Sequence, residues 1–179
     1  SDDHVETRIE TPFGDMHIQE YWVKNSARFD VSKIIYKGIE SAKANVKAVE
    51  FIKNSDLIII APGNPISSIG PIISFPLIRN VLESKKDKVI AVSPLLGNKA
   101  FSGPATKYMQ VMGIEVSPFG IASHYKDIAA NLVISEFDYG YEKRIRDLGI
   151  NVYKTNIVME SLQDEINLSN YLLNNLNRA

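Results

Sequence analysis

DLIIIAPGNPISSIGPII, residues 56–73, decides how this chain folds. Leu57 to Ile60 is an unbroken branched-apolar run, and a strand with no polar alternation is one buried on both faces. It stops at Pro62-Gly63 and restarts through two serines and Gly70-Pro71, which reads as a turn from strand into helix. KVIAVSP, residues 88–94, repeats the pattern roughly thirty residues on, the span of one βαβ unit.

The same alternation continues on both sides. Residues 38–54 place Ile39, Ala42, Val46, Val49 and Ile52 at helical spacing. Residues 75–88 read as a helix with Pro76 in its first turn, and residues 103–113 as a helix closed by Gly113. IEVSP (114–118) reads as a short strand, residues 121–130 as helical and NLVISEFD (131–138) as a strand. A helix to Gly149, a strand at 150–156 and an amphipathic helix over 162–179 follow. At the other end, residues 5–12 and 15–23 alternate with a period of two around TPFGD, which predicts an antiparallel hairpin; residues 31–38 form a further candidate strand. The expected fold is therefore α/β: a Rossmann-like three-layer sandwich with a mainly parallel sheet and an N-terminal antiparallel hairpin.

Composition narrows the function classes. The 179 residues suit one domain or the C-terminal part of a larger one. A net charge of −1 gives no global attraction to nucleic acid or to an anionic membrane. With no cysteine, thiol nucleophiles, disulfides and cysteine-bound zinc are excluded, and a cytoplasmic setting is expected. No apolar run has the length of a membrane span, and the acidic first residues do not read as a signal peptide.

In open parallel sheets a ligand sits beyond the carboxyl ends of the strands. Two loops at that edge are rich in small residues: Ala61–Pro71 and Ser93–Ala105. Gly63, Gly97 and Gly103 let the backbone approach a ligand. Ser67, Ser68 and Ser102 bring hydroxyls near helix starts, where free amides hold anions. Asn64 offers a donor and an acceptor, and Pro62 and Pro65 stiffen the loop. A phosphorylated small molecule fits these loops; so does ordinary turn chemistry, and on composition alone the two readings are balanced. Neither loop carries GK[ST] or GxGxxG.

Residues 61–82 and 89–127, with DDHVETRIET at 2–11 and Thr155 and Met159, resemble the CofD family of 2-phospho-L-lactate transferases. The resemblance implies transfer of a 2-phospholactyl or phosphoenolpyruvyl group from a GDP-linked donor to the deazaflavin Fo, with GMP leaving, in coenzyme F420 biosynthesis. It implies Mg²⁺ as cofactor. It places Gly63, Asn64, Pro65, Ser67 and Ser68 on the nucleotide or diphosphate. Ser93 and Pro94, with Gly97 to Gly103, form a second wall; Gly120, Ala122 and Tyr125 line the same cleft. The family's N-terminal part, with its GGTG loop and metal-holding aspartate, has no counterpart here, so this chain is expected to be the family's C-terminal part and inactive alone. GNP at 63–65 replaces the commoner SNP. The alternative is a non-catalytic nucleotide-sugar-binding regulator similar to the gluconeogenesis factor YvcK.

The remaining candidates read as structural. His4, His17 and His124 show no metal-ligand spacing. Trp22 suits core packing or an oligomer contact, and Lys99 and Lys107 a solvated surface. Asp127 and Asp138 are each able to touch Mg²⁺, but Asp127 better suits a helix surface and Asp138 a strand-end turn. The exposed hairpin edges suit a homodimer.

Overall fold

The computed structural model describes residues 1–101 and 103–176. Three strands, β1 (Glu6–Thr11), β2 (Gly14–His17) and β3 (Lys33–Lys37), form an antiparallel sheet in the order β2-β1-β3. Thr7, Ile9 and Thr11 point inward on alternate positions, and Ile9 faces Met16 and Ile34. The strand expected over residues 15–23 ends at His17, and Glu20–Lys24 coils into a helical turn instead. Ile18, Tyr21 and Trp22 satisfy helical spacing as well as alternation. Tertiary contacts choose the helix: Tyr21 is fully buried, and its hydroxyl donates to the carbonyls of Ala27 (3.0 Å) and Phe29 (2.7 Å).

The second sheet is parallel. After α1 (Val46–Asn54), the elements run β4 (Ile58–Ile60), a turn at Pro65–Ile69, α2 (Gly70–Ile73), α3 (Pro76–Ser84) and β5 (Val89–Val92). A small hairpin, β6 (Leu95–Leu96) and β7 (Lys99–Ala100), precedes α4 (Ala105–Val111) and α5 (Pro118–Tyr125). Then come β8 (Asn131–Ser135), α6 (Glu142–Arg146), β9 (Asn151–Thr155) and α7 (Leu162–Leu176). Strand order is β4-β5-β8-β9, all parallel.

Each central strand feeds two cores. Val89, Ala91, Leu132 and Ile134 join the larger one, to which Val49 and Ile52 of α1, Ile78 and Leu82 of α3, Tyr108 and Met109 of α4, and Ile121 of α5 also belong. Ile90, Val92 and Val133 point the other way, onto Ile157 and Leu168 and Leu172 of α7. Those two leucines contribute about 1.5–3 kcal/mol each by burial. Ile59, paired with Ile90 on the edge strand, lies 44% exposed, so the α7 layer does not reach it.

The expected strand at IEVSP does not form. Gly113 (φ +69) reverses the chain after α4, with Ile114 N–H donating to Met109 O at 2.8 Å. Ile114 and Val116 pack on the core, and Ser117 caps α5 by accepting from Gly120 N–H. The strand expected to reach Asp138 stops at Ser135. No helix among the described residues is long and apolar enough to cross a membrane.

Candidate functional site

Because β4, β5 and β8 are parallel neighbours, the loops that follow them share one rim of the sheet. The opening stretch and the second small-residue loop therefore lie on the same rim of the sheet.

The first loop is more self-contained than its composition suggests. Asn64 Oδ1 accepts from the N–H groups of Ile66 (3.0 Å) and Ser67 (3.1 Å), and its carbonyl accepts from Ser68 and Ile69. The amides expected to hold an anion are thus spent inside the turn. Pro65 is buried, and Gly63 uses no left-handed backbone. What this loop offers outward is the hydroxyls of Ser67 and Ser68, which make no hydrogen bond among the described residues, and the Asn64 side-chain NH₂.

In the second loop, Ser93 is fully buried and its hydroxyl is closed on Leu95, accepting from its N–H at 3.2 Å. Pro94 is buried too. Ser93 and Pro94 are the root of the wall rather than its surface. Gly97 (φ +57) and Gly103 (φ +63) both need left-handed backbone and lie nearer solvent. Ser102 falls outside the described residues.

Gly120, Ala122 and Tyr125 lie on helix α5, with Ala122 and Tyr125 at 0% and 2% exposure. Their signature records packing rather than a cleft wall. A side chain at Gly120 would collide with the backbone of Glu115, and Ala122 and Tyr125 face the larger core. Gly120 borders a cavity of about 420 Å³, shared with Gly113, Glu115, Phe119 and His124. His124 is half-buried; burial, with Arg79 nearby, lowers its proton affinity, and its Nε2 has no partner. Asp127 is exposed and faces Arg79 at 3.7 Å.

Two side chains read as structural in sequence take other places. Trp22 is 43% exposed, so it is not a core residue. Its indole lies against Gly103, where an added Cβ would come within 2.9 Å of the ring. Trp22, Ser26, Ala27, Gly103, Pro104, Thr106 and Lys107 line an open cleft of about 480 Å³. Ser26 and Ala27 both hold left-handed backbone (φ 52 and 50), a conformation that costs about 1–2 kcal/mol per residue. Lys107 is not a free surface charge: its ammonium donates to Ala27 O (2.9 Å) and Phe29 O (3.0 Å), the carbonyls that Tyr21 also engages. Sequence spacing carries no sign of this clamp, which joins residues 80 apart.

Asp138 is the other residue that sequence reading undervalued. It is 6% exposed, its Oδ1 accepts from Gly97 N–H at 2.9 Å, and its Oδ2 is buried with no partner. Among the described residues no group of three or more His, Asp or Glu side chains is placed to hold a metal. One carboxylate oxygen does not make a magnesium site, so these residues do not fit the expected ion unaided.

The profile described as "2-phospho-L-lactate transferase CofD" matches residues 1–159. This chain belongs to the CofD family. A 2-phospho-L-lactate transferase of Methanococcoides burtonii is 41% identical over 169 residues, 94% of this chain and 55% of that protein. One of Methanocaldococcus jannaschii is 41% identical over 177 residues, covering 97% and 55%. The CofD-family chain thus spans about half the length of these relatives. The crystal structure of protein BH3568 from Bacillus halodurans superposes with a TM-score of 0.62 at 13% identity, over 97% of this chain and 60% of that one. That likeness establishes the fold.

Proposed function

We propose that this chain is the C-terminal part of a cytoplasmic 2-phospho-L-lactate transferase of coenzyme F420 biosynthesis. The observation that carries the reading is the CofD match over residues 1–159, backed by relatives of that name at 41% identity. In the reaction, the hydroxyl oxygen of Fo attacks the phosphorus that bears lactate (or enolpyruvate). A new P–O bond forms, the diphosphate bridge breaks, its electron pair leaves with GMP, and the hydroxyl proton departs. Such a displacement depends on positioning and charge neutralisation more than on covalent help from the protein.

The described residues supply positioning. Ser67 and Ser68 turn hydroxyls toward the donor's diphosphate from the first loop, and Gly97 and Gly103 let the backbone of the second loop approach it. The cleft beside Gly103 takes the flat deazaflavin ring against the exposed face of Trp22. The resemblance implies Mg²⁺ for the reaction, and the described residues do not hold it unaided.

Ser68 gives a clean test because its hydroxyl holds nothing else in place. The double change Ser67→Ala, Ser68→Ala is expected to leave the circular dichroism and Tm unchanged. It should weaken GDP binding about tenfold in calorimetric titration, the loss of roughly one charge-assisted hydrogen bond. Asn64→Ala, by contrast, should cost about 1–2 kcal/mol of stability through the lost cap, whatever it does to binding. The reading fails if the wild-type chain, and a full-length relative carrying the same loops, take up neither GDP nor Fo at millimolar concentration.

A further inference from the structure

We infer that Asp138 is a positioning residue for the nucleotide-facing wall: its carboxylate fixes the turn at Gly97 so that the hairpin beyond β5 closes on the bound diphosphate. The inference rests on the reading above for the identity of the ligand. It does not rest on it for the geometry.

The hairpin β6–β7 needs an outside anchor. It pairs only with itself and joins neither larger sheet. At its root Ser93 and the fully buried Leu95 hold it to the core. At its tip, among the described residues, the one bond to another element is Gly97 N–H to Asp138 Oδ1, which spans 41 residues and ties the loop after β5 to the loop after β8. Gly97 is left-handed (φ +57), so this amide points where an ordinary residue's would not.

The turn that carries Asp138 is built against ordinary partition. Within Glu136–Tyr141, Asp138 breaks the helical geometry (φ −93, ψ 19) and turns its carboxyl inward. Its neighbours Phe137 and Tyr139 lie 80% and 71% exposed. Two aromatic rings stand in water while a carboxyl is buried on a single hydrogen bond, the reverse of what burial energetics favour. Burial raises the carboxyl's proton affinity, and the Gly97 N–H offsets only part of that. A group held at such a cost to the fold, at the rim where the two loops meet, marks a site selected for something other than stability.

The test uses this chain with GDP as probe and three proteins: wild type, Asp138→Asn and Asp138→Ala. Asparagine keeps an acceptor for Gly97 and removes the buried charge. Asp138→Asn is expected to raise Tm while holding GDP affinity within about threefold of wild type. Asp138→Ala should leave Tm near wild type, speed exchange of the Gly97 amide at least tenfold, and weaken GDP binding about tenfold. In ¹⁵N–¹H spectra of wild type, Gly97 and Asn98 should shift on adding GDP. The inference is overturned if Gly97 exchange is the same in Asp138→Ala and wild type. It is also overturned if Asp138→Ala lowers Tm and speeds exchange across the whole sheet, which would make Asp138 a general scaffold residue. Where wild type binds no GDP the functional reading falls, and the Gly97 exchange rates still decide whether Asp138 sets the turn.

Discussion

Gly120→Ala is expected to lower Tm by about 4–8 °C. The added Cβ would lie 2.7 Å from the carbonyl carbon of Glu115 and closer still to its oxygen, so the obstacle is backbone rather than a side chain that can swing away. The crowding has a local origin. Ser117 N–H donates to Glu115 O at 2.9 Å, and α5 springs directly from that tight reversal, passing under the segment that precedes it. Overpacking of this kind costs about 3 kcal/mol. In a domain of this size each kcal/mol moves Tm by about 2–4 °C. Alanine's better helix propensity returns only about 1 kcal/mol. Ser123→Ala, on an exposed position of the same helix, should stay within about 0.5 kcal/mol of wild type. Equal melting curves for Gly120→Ala and Ser123→Ala would show that Gly120 is not a packing residue.

Above pH 10 the fold is expected to fail cooperatively. Burial pushes the Tyr36 hydroxyl up to about 12, and Tyr108 and Tyr125 further in the same direction, with Tyr21 beside the first of these and Tyr36 beside the second. Tyr108 Oη has no hydrogen-bond partner, so nothing inside compensates an oxyanion there. The sign follows from proton counts. Between the unfolded value near 10 and the raised folded values, the folded chain holds protons that the unfolded chain has released. Stability contributed by these groups is complete below pH 10 and falls as pH rises. Tyr36, partly exposed, accounts for roughly 2 kcal/mol of the loss, and the three together for more than roughly 5 kcal/mol, comparable with the whole stability of a domain. The share of the tyrosinate absorbance that comes from these three should therefore rise in step with loss of the circular dichroism signal. Eight tyrosines ionising reversibly near pH 10 with the dichroism intact would contradict the burial of these three.

The layout of the fold was legible because its signals are local. Apolar runs without alternation at 57–60 and 89–92 read as parallel strands and pair with each other as neighbours, but only the second is interior: the first is an edge strand with Ile59 44% exposed. Gly113 and Gly149, both left-handed, mark helix ends as their positions suggest. Where two periods fit the same short run, local reading failed. Residues 18–24 suit a strand or a helix, and the burial of Tyr21 chose the helix.

The site was legible in place and not in detail. Small residues named the two loops correctly as rim loops. Composition could not tell that Asn64 consumes the first loop's amides or that Ser93 is sealed on Leu95. It gave no warning that Gly120 serves packing, since a glycine needed for a close helix approach looks the same in sequence as one needed for a ligand.

Sequence by itself determined the α/β order, the family and the rim on which the small-residue loops lie, because strand burial, helix period and turn chemistry are written within a few neighbouring residues. Tertiary structure alone decided which groups face outward and which are bound within. The clamp from Lys107 to Ala27 and the bond from Gly97 to Asp138 join residues 80 and 41 apart. A hydrogen bond of that reach depends on where the backbone returns, which no local pattern records.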